Sequence, residues 1–370
     1  MAIGCFPLCF GLFFDHISSV LSVPSVVKDK KMKPDEDISK IETRIHLYEV
    51  GFRDWRFSHK IAPDTDSLVT TIRMLEEAGI ERIEIGASVN YLKYPELRDT
   101  YEILRRLRAG KPKAKYGIYV GPTEKNYPSV KINRLLEKGM LREHPGLPDE
   151  ICVSISASEE RNFELYQMSG NSVFDCIQRH VEKAQRDGLR VRGYVSAAFG
   201  GYKDKLDAPI SSAIGWCQLL LGLGCYEVAL GDTRGKADPE DFNKMWERMK
   251  SFLPLERIAL HVHTHWYVKW ESHLMRVVRD GVQTFDTSVF DIPEPSRQNP
   301  DDLLPFDLQI PPNASTQKMV AFVNQLNTDF PEGERIKLGS GRFTTGVDLE
   351  KVREAVSFIR GVLHRQKPAG

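Results

Sequence analysis

The sequence predicts a (β/α)8 TIM barrel. Three observations predict it. Eight short apolar, β-branched runs recur from residue 45 onward, and stretches with helical periodicity separate them. No GxGxxG or GxxxxGK[ST] loop follows the first run, as a doubly wound open sheet usually requires. Eight such units in about 280 residues match the length this barrel needs.

The runs, in order, are "IHLYEVG" (45–51), "RIEIGA" (82–87), "YGIYVG" (116–121), "ICVSIS" (151–156), "VRGYVSAA" (191–198), "YEVALGD" (226–232), "RIALHVH" (257–263) and "TFDTSVF" (284–290). They are nearly continuous in apolar residues, as strands covered on both faces are. "SLVTTIRMLEEAG", "FDCIQRHVEKAQRDG" and "SHLMRVVRDG" each end in the glycine that closes a helix. "YEILRRLRAG", "INRLLEKG", "SAIGWCQLLLGLG" and "DFNKMWERMKSFL" continue the set, and "STQKMVAFVNQL" follows the last strand. The expected domain is a barrel with a C-terminal helix over residues 44–366. Residues 1–43 are expected to form a disordered or loosely docked extension. Its "MAIGCFPLCFGLFF" is too short to span a bilayer and has no basic residue before it. Secretion and organelle import are the alternatives for this segment.

Charge narrows the partners. Lys+Arg and Asp+Glu balance at 51 each, so the chain has no electrostatic footprint for nucleic acid or an anionic membrane. The six cysteines are scattered, with no CxxC pair, which reads as a reduced, cytoplasmic protein, mitochondrial or other import being the alternative.

A barrel of this kind carries its chemistry at the C-terminal ends of its strands. Arg53 and Asp54 stand at the end of the first predicted strand and Glu84 on the second. Tyr194 and Ser196 lie on the fifth, Asp232 and Thr233 end the sixth, and His261 and His263 end the seventh. Asn313 lies between the last strand and its helix. Alternate residues of a strand share a face, so the imidazoles of His261 and His263 point the same way. Such a pair alone is often structural. At a functional rim, with Asp54 able to converge on it, it suits a divalent cation such as Mg, Mn or Zn. His265 shares that face only if the strand continues, and reads equally as a rim histidine or a proton-transfer group. Trp55 and Trp266 either pack the rim or stack on a flat ligand.

These residues resemble the DRE-TIM metallolyase superfamily and, within it, the 3-hydroxy-3-methylglutaryl-CoA lyases. "YEVGFRDWRFSHK" is similar to the family's opening "EVGxRDGLQNE", and "LHVHTH" to its "VHCHD". "VRGYVSAAFG", "GCYEVALGDTRG" and "PNASTQKMVAFVNQL" resemble its later segments. The resemblance implies roles. Asp54, His261, His263 and Asn313 match the ligands of a divalent cation, Mg or Mn first and Zn as an alternative. Arg53 matches the arginine that stabilises an enolate, and Glu84 the acid that holds it. Asp232 matches a substrate-side carboxylate. Tyr194, Ser196, Thr233 and Trp55 fall at the expected substrate pocket. The implied partner is a small molecule, possibly a CoA thioester, and the implied assembly a homodimer.

Three departures stand out. The family's Gly-rich loop with its reactive cysteine is replaced by "DIPEPSRQNPDDLLPFDLQIPPN" (291–313), which has six prolines and neither cysteine nor glycine. "RDGLQ" has become "RDWRF", with Trp55, Arg56 and Phe57 where small and amide side chains are expected. Thr264, His265, Trp266 and Tyr267 replace the sequence after the histidine pair. The expected function is therefore metal-dependent carbon–carbon cleavage of a 3-hydroxyacyl-CoA or related β-hydroxy acid, with an altered substrate. Proton transfer would pass to His265, Asp232 or a water. A Claisen-type condensing enzyme and a catalytically silent metal- or ligand-binding barrel are the alternatives. The condensing enzymes usually add a regulatory domain, where this sequence closes on "GVDLEKVREAVSFIRGVLHRQKPAG".

Overall fold

The computed structural model describes residues 42–59, 63–138, 147–200, 210–233, 235, 237, 239–263, 270–290, 314–337 and 340–365. The expected barrel is present. Strands β2 (His46–Glu49), β3 (Arg82–Ser88), β4 (Lys115–Val120), β5 (Glu150–Ser156), β6 (Arg190–Ser196), β7 (Glu227–Asp232), β8 (Ile258–Val262) and β9 (Thr284–Thr287) close in sequence order. Every neighbouring pair is parallel, and β9 returns to β2 with His46 opposite Thr284. Two short strands lie outside the barrel. In these, β1 (Glu42–Arg44) pairs with β10 (Arg342–Thr344).

The helices follow the periodicity of the sequence. They are α1 (Gly51–His59), α2 (Thr65–Glu77), α3 (Thr100–Ala109), α4 (Pro128–Glu137), α5 (Glu159–Tyr166) and α6 (Gly170–Arg186), then α7 (Ile210–Leu223), α8 (Pro239–Lys250) and α9 (Trp270–Arg279). The last three are α10 (Thr316–Asp329), α11 (Glu332–Lys337) and α12 (Leu349–Arg365). In α6, Val173, Ile177, Val181 and Ala184 recur at helical spacing, and all four are buried. Ser169 caps its start by accepting from Ser172 N, and Gly188 follows its end at φ +71°, a conformation that costs glycine little.

The β1–β10 pair, α5 and α11 were not foreseen, nor was α1, which matters most for the site. The first strand was expected to run to residue 51 and deliver Arg53 and Asp54 from its end, yet it stops at Glu49 and both residues open α1. Gly51 permits the change of direction. A Cβ there would lie 2.7 Å from the Phe290 ring. The polar sequence "RDWRFSH" hid the helix because its faces serve three different surroundings.

The barrel interior is unusually ionic. Branched apolar side chains ordinarily fill it. Here Arg192, fully buried, donates through Nε to Glu227 at 2.7 Å and through both terminal nitrogens to Asp286 at 2.6 and 3.1 Å. Arg82 joins Glu227 at 3.2 Å, and Tyr226 donates to Glu150 at 2.9 Å. Tyr48, Tyr119, Cys152, Tyr194, Ala229 and Ala259 complete an inner apolar cluster.

Glu49 fastens the rim at the end of β2. Its carboxylate accepts from Gly51 N at 2.9 Å, Val289 N at 3.1 Å and Thr316 Oγ1 at 2.6 Å, so it ties the starts of α1 and α10 to the end of β9. Burial pushes its pKa up from 4.5 to about 7, despite these three donors. Between those values the folded chain binds more protons than the unfolded one, so stability falls as pH rises through the window and then levels off. The fall amounts to about 3 kcal/mol. Glu49→Gln should flatten it, raising stability at pH 8 and changing it little at pH 5. Denaturant midpoints at the two pH values check this, and an unaltered pH dependence in the variant contradicts it.

Candidate active site

Strand alternation and the first turn of α1 bring three donors together. Asp54, His261 and His263 each offer one ligand atom, and these atoms all lie within 4.8 Å of one another. The two imidazole Nε2 atoms stand 3.1 Å apart. Asp54 Oδ2 lies 3.9 Å from Nε2 of His261 and 3.8 Å from Nε2 of His263. Donors in adjacent positions around an octahedral ion with bonds of about 2.1 Å sit about 3 Å apart; the imidazole pair has that spacing, and Asp54 Oδ2 would close by under about 1 Å to complete it. All three side chains are largely withdrawn from solvent.

The tautomer of His261 fits the same role. Its Nδ1 lies 2.9 Å from Asp286 Oδ2. Burial works against ionisation of Asp286, yet Arg192 and His261 hold its carboxyl below the usual carboxylate range. An ionised carboxylate only accepts, so Nδ1 carries the proton and Nε2 keeps its lone pair.

Arg53 lies beside this cluster. Its Nε donates to Glu84 Oε2 at 2.8 Å, and its terminal NH1 contacts the Asp54 carboxylate. The guanidinium carbon sits 5.4 Å from the Tyr119 ring centre and 5.2 Å from that of Tyr194. Burial opposes the charge of Arg53, but Glu84 and Asp54 hold its pKa well above the ordinary range. Burial pushes Glu84 upward, and Arg53 offsets part of that. Tyr194 also donates to Glu84, at 3.3 Å, and meets His261 edge-on at 5.6 Å.

Arg53, Asp54, Tyr119, Tyr194, His261 and His263 line a cavity of about 370 Å3, a size suited to a small organic ligand. Ser196 and Thr233 line it too, and Thr233 Oγ1 accepts from Ala197 N at 2.8 Å. Two expected pocket residues lie elsewhere. Asp232 alternates away from the cavity-lining Gly231 and accepts from Ala237 N at 3.2 Å. Trp55 is buried against Phe290, ring on ring at 4.7 Å and 11°. His265 and Asn313 lie outside the described residues, as do Trp266 and the 291–313 segment.

Sequence reasoning missed Asp286 and Arg192. Both signals were present. Arg192 stands two residues before Tyr194 on a strand, hence on the same inward face, and Asp286 is the one charged residue of the strand TFDT.

The chain has recognisable relatives. An HMGL-like family model matches residues 145–290. The cytoplasmic 3-hydroxy-3-methylglutaryl-CoA lyase of Mus musculus is 25% identical over 318 residues, 85% of this chain and 80% of the relative. The mitochondrial hydroxymethylglutaryl-CoA lyase of Homo sapiens is 27% identical over 324 residues, 87% of each chain. The 3-hydroxy-3-isohexenylglutaryl-CoA/hydroxy-methylglutaryl-CoA lyase of Pseudomonas aeruginosa is 28% identical over 254 residues, 66% of this chain and 76% of the relative. The solved HMG-CoA lyase of Bacillus subtilis shares the fold at a TM-score of 0.70 and 24% identity, covering 89% of this chain and 97% of its own. The fold is a closed (β/α)8 barrel, and the HMGL-like match covers its residues 145–290. Over most of its length the chain is similar to HMG-CoA lyases, at 25–28% identity to these three relatives.

If Asp286 sets the His261 tautomer, Asp286→Asn should weaken Mn2+ binding about 10- to 100-fold while the barrel still folds. Titration followed by electron paramagnetic resonance, with circular dichroism as the folding control, checks this. Unchanged affinity in a folded variant contradicts the assignment.

Proposed function

We propose that this protein is a divalent-cation-dependent lyase that cleaves the carbon–carbon bond of a 3-hydroxyacyl thioester. One observation carries the reading. Asp54, His261 and His263 meet beside the cavity-lining Arg53, which Glu84 holds. Relatives named for methylglutaryl and isohexenylglutaryl CoA thioesters share a 3-hydroxyglutaryl head and differ in the 3-substituent. Cleavage of that head is the common chemistry, and the altered residues of this chain point to a different substituent.

Asp54, His261 and His263 would hold the cation, with Asn313 as the fourth ligand that the sequence resemblance implies. When bound, such an ion is a Lewis acid for the substrate's hydroxyl and carbonyl oxygens, Mg or Mn being favoured. The chain's own residues supply the rest. Cleavage removes the proton of the tertiary hydroxyl, turns that carbon into a carbonyl, and leaves the bonding electrons on the departing fragment as an enolate. Arg53 keeps its charge and is fixed by Glu84 rather than by water, so it stabilises that enolate without reorganising. Tyr194 fixes Glu84 in turn and lines the same cavity. Ser196 and Thr233 offer hydroxyls to the acyl group. The hydroxyl proton goes to His265 or a water, Asp232 being turned away to accept from Ala237 N.

A reducing compartment, the cytoplasm first, suits the described cysteines Cys152, Cys176, Cys217 and Cys225, which are free and buried. Relatives include both cytoplasmic and mitochondrial proteins. Among the described residues no helix is long and apolar enough to cross a membrane.

The test is a panel of 3-hydroxyacyl-CoA thioesters incubated with Mg2+ or Mn2+ in deuterated water. Cleavage, or deuterium exchange next to the thioester of the product fragment, is expected. Arg53→Met should lower either rate by about 10²- to 10³-fold while Mn2+ stays bound. Bound metal with neither cleavage nor exchange contradicts the reading and leaves a silent barrel.

A further inference from the structure

The departure "WRF" at Trp55, Arg56 and Phe57 has a physical account, and it bears on the substrate. Helix α1 sends these three residues in different directions. Trp55 stacks on Phe290 in the core. Arg56 is fully buried, contacts the carbonyl oxygen of Glu96 and donates to Asp99 Oδ1 at 2.6 Å. It thereby ties α1 to the segment that follows Tyr94. Phe57 falls three and four residues after Asp54 and Arg53, hence on the same helix face, and all three line the cavity.

Tyr94 packs on Phe57 with ring centres 4.6 Å apart and planes at 28°. Both rings line the cavity. Tyr119 and Tyr166, which share a hydroxyl–hydroxyl hydrogen bond of 2.9 Å, line it too, as do Leu165 and Met168. Phe57 thus lines the cavity one helical turn, about 5.4 Å, along α1 from Asp54 and Arg53, with Tyr94 packed on it and the Lys93 ammonium 5.3 Å from the Tyr94 ring centre. The family pattern quoted above has an amide where Phe57 stands.

We propose that Phe57 and Tyr94 form a specificity wall that selects a substrate whose C3 substituent is bulky and apolar, a branched alkyl or aromatic group rather than methyl. The inference rests on the lyase reading for the identity of the head group. A methyl at C3 leaves the aromatic wall facing water. A larger apolar group reaches one turn along α1 and removes that surface from water. Arg56 is the positioning residue that holds Tyr94 in register with Phe57.

Binding of free acids tests this without demanding turnover. The full chain with Mn2+ is titrated calorimetrically with 3-hydroxy-3-phenylglutarate and 3-hydroxy-3-methylglutarate. The phenyl acid should bind about tenfold more tightly. Phe57→Gln should reduce that ratio to about threefold or less, and so should Tyr94→Ser, made in case the first variant fails to fold. The proposal is overturned by a ratio below about fivefold in the native chain, by no binding of the phenyl acid, or by a ratio unchanged in both variants. Either of the first two would leave the wall to the thioester arm or to packing alone. A phenyl preference without thioester cleavage defeats the lyase reading and not this one. Cleavage without the preference does the reverse.

Discussion

A buried charge chain holds the candidate site in place. Glu227, Arg192, Asp286 and His261 are linked in series through the barrel, with contacts of 2.7, 2.6 and 2.9 Å. Each member is withdrawn from solvent. Buried charges of this kind are costly unless every partner is present, because removing one leaves its neighbour uncompensated. The chain therefore contributes little to net stability against an apolar core. It fixes which nitrogen of His261 faces the cavity, and that choice decides whether His261 can join His263 and Asp54 around an ion.

The same logic of fixed orientation runs through α1. A nine-residue helix between β2 and α2 delivers Arg53, Asp54 and Phe57 on one face. Its other residues secure it, Trp55 against Phe290 and Arg56 against Asp99. Glu49 pins the turn that precedes it. What reads in the sequence as three bulky intrusions into a small-residue motif is a division of labour between core, loop anchor and cavity wall. Of the three departures from the lyase pattern, only Trp55, Arg56 and Phe57 lie among the described residues, and of these Phe57 lines the cavity.

Much of the fold was legible in the sequence because parallel barrel strands are buried on both faces. They read as apolar runs, and glycines at helix ends mark where each unit closes. Seven of the eight strands fall within two residues of their expected ends, whereas the last, expected to reach 290, is regular only to Thr287. The convergence of Asp54, His261 and His263 was also legible, since alternation puts both imidazoles on one face. Three things were not. Helix α1 is short and polar, so it carries no apolar stripe to announce it. Arg192 and Asp286 occupy positions where periodicity expects apolar side chains, and only their mutual contact explains them. Trp55 and Asp232 sit at the expected rim but turn from the cavity, Asp232 because it alternates with the cavity-lining Gly231 and Thr233, and Trp55 because it packs on Phe290.

The central claim is that one divalent cation is held by both imidazoles together with Asp54. Pulsed electron paramagnetic resonance of the Mn2+-loaded full chain measures this most directly, by counting the nitrogen nuclei coupled to the metal. The account predicts two directly bound imidazole nitrogens, falling to one in His261→Ala and in His263→Ala alike. No coupled nitrogen, or a count that neither substitution changes, would contradict it.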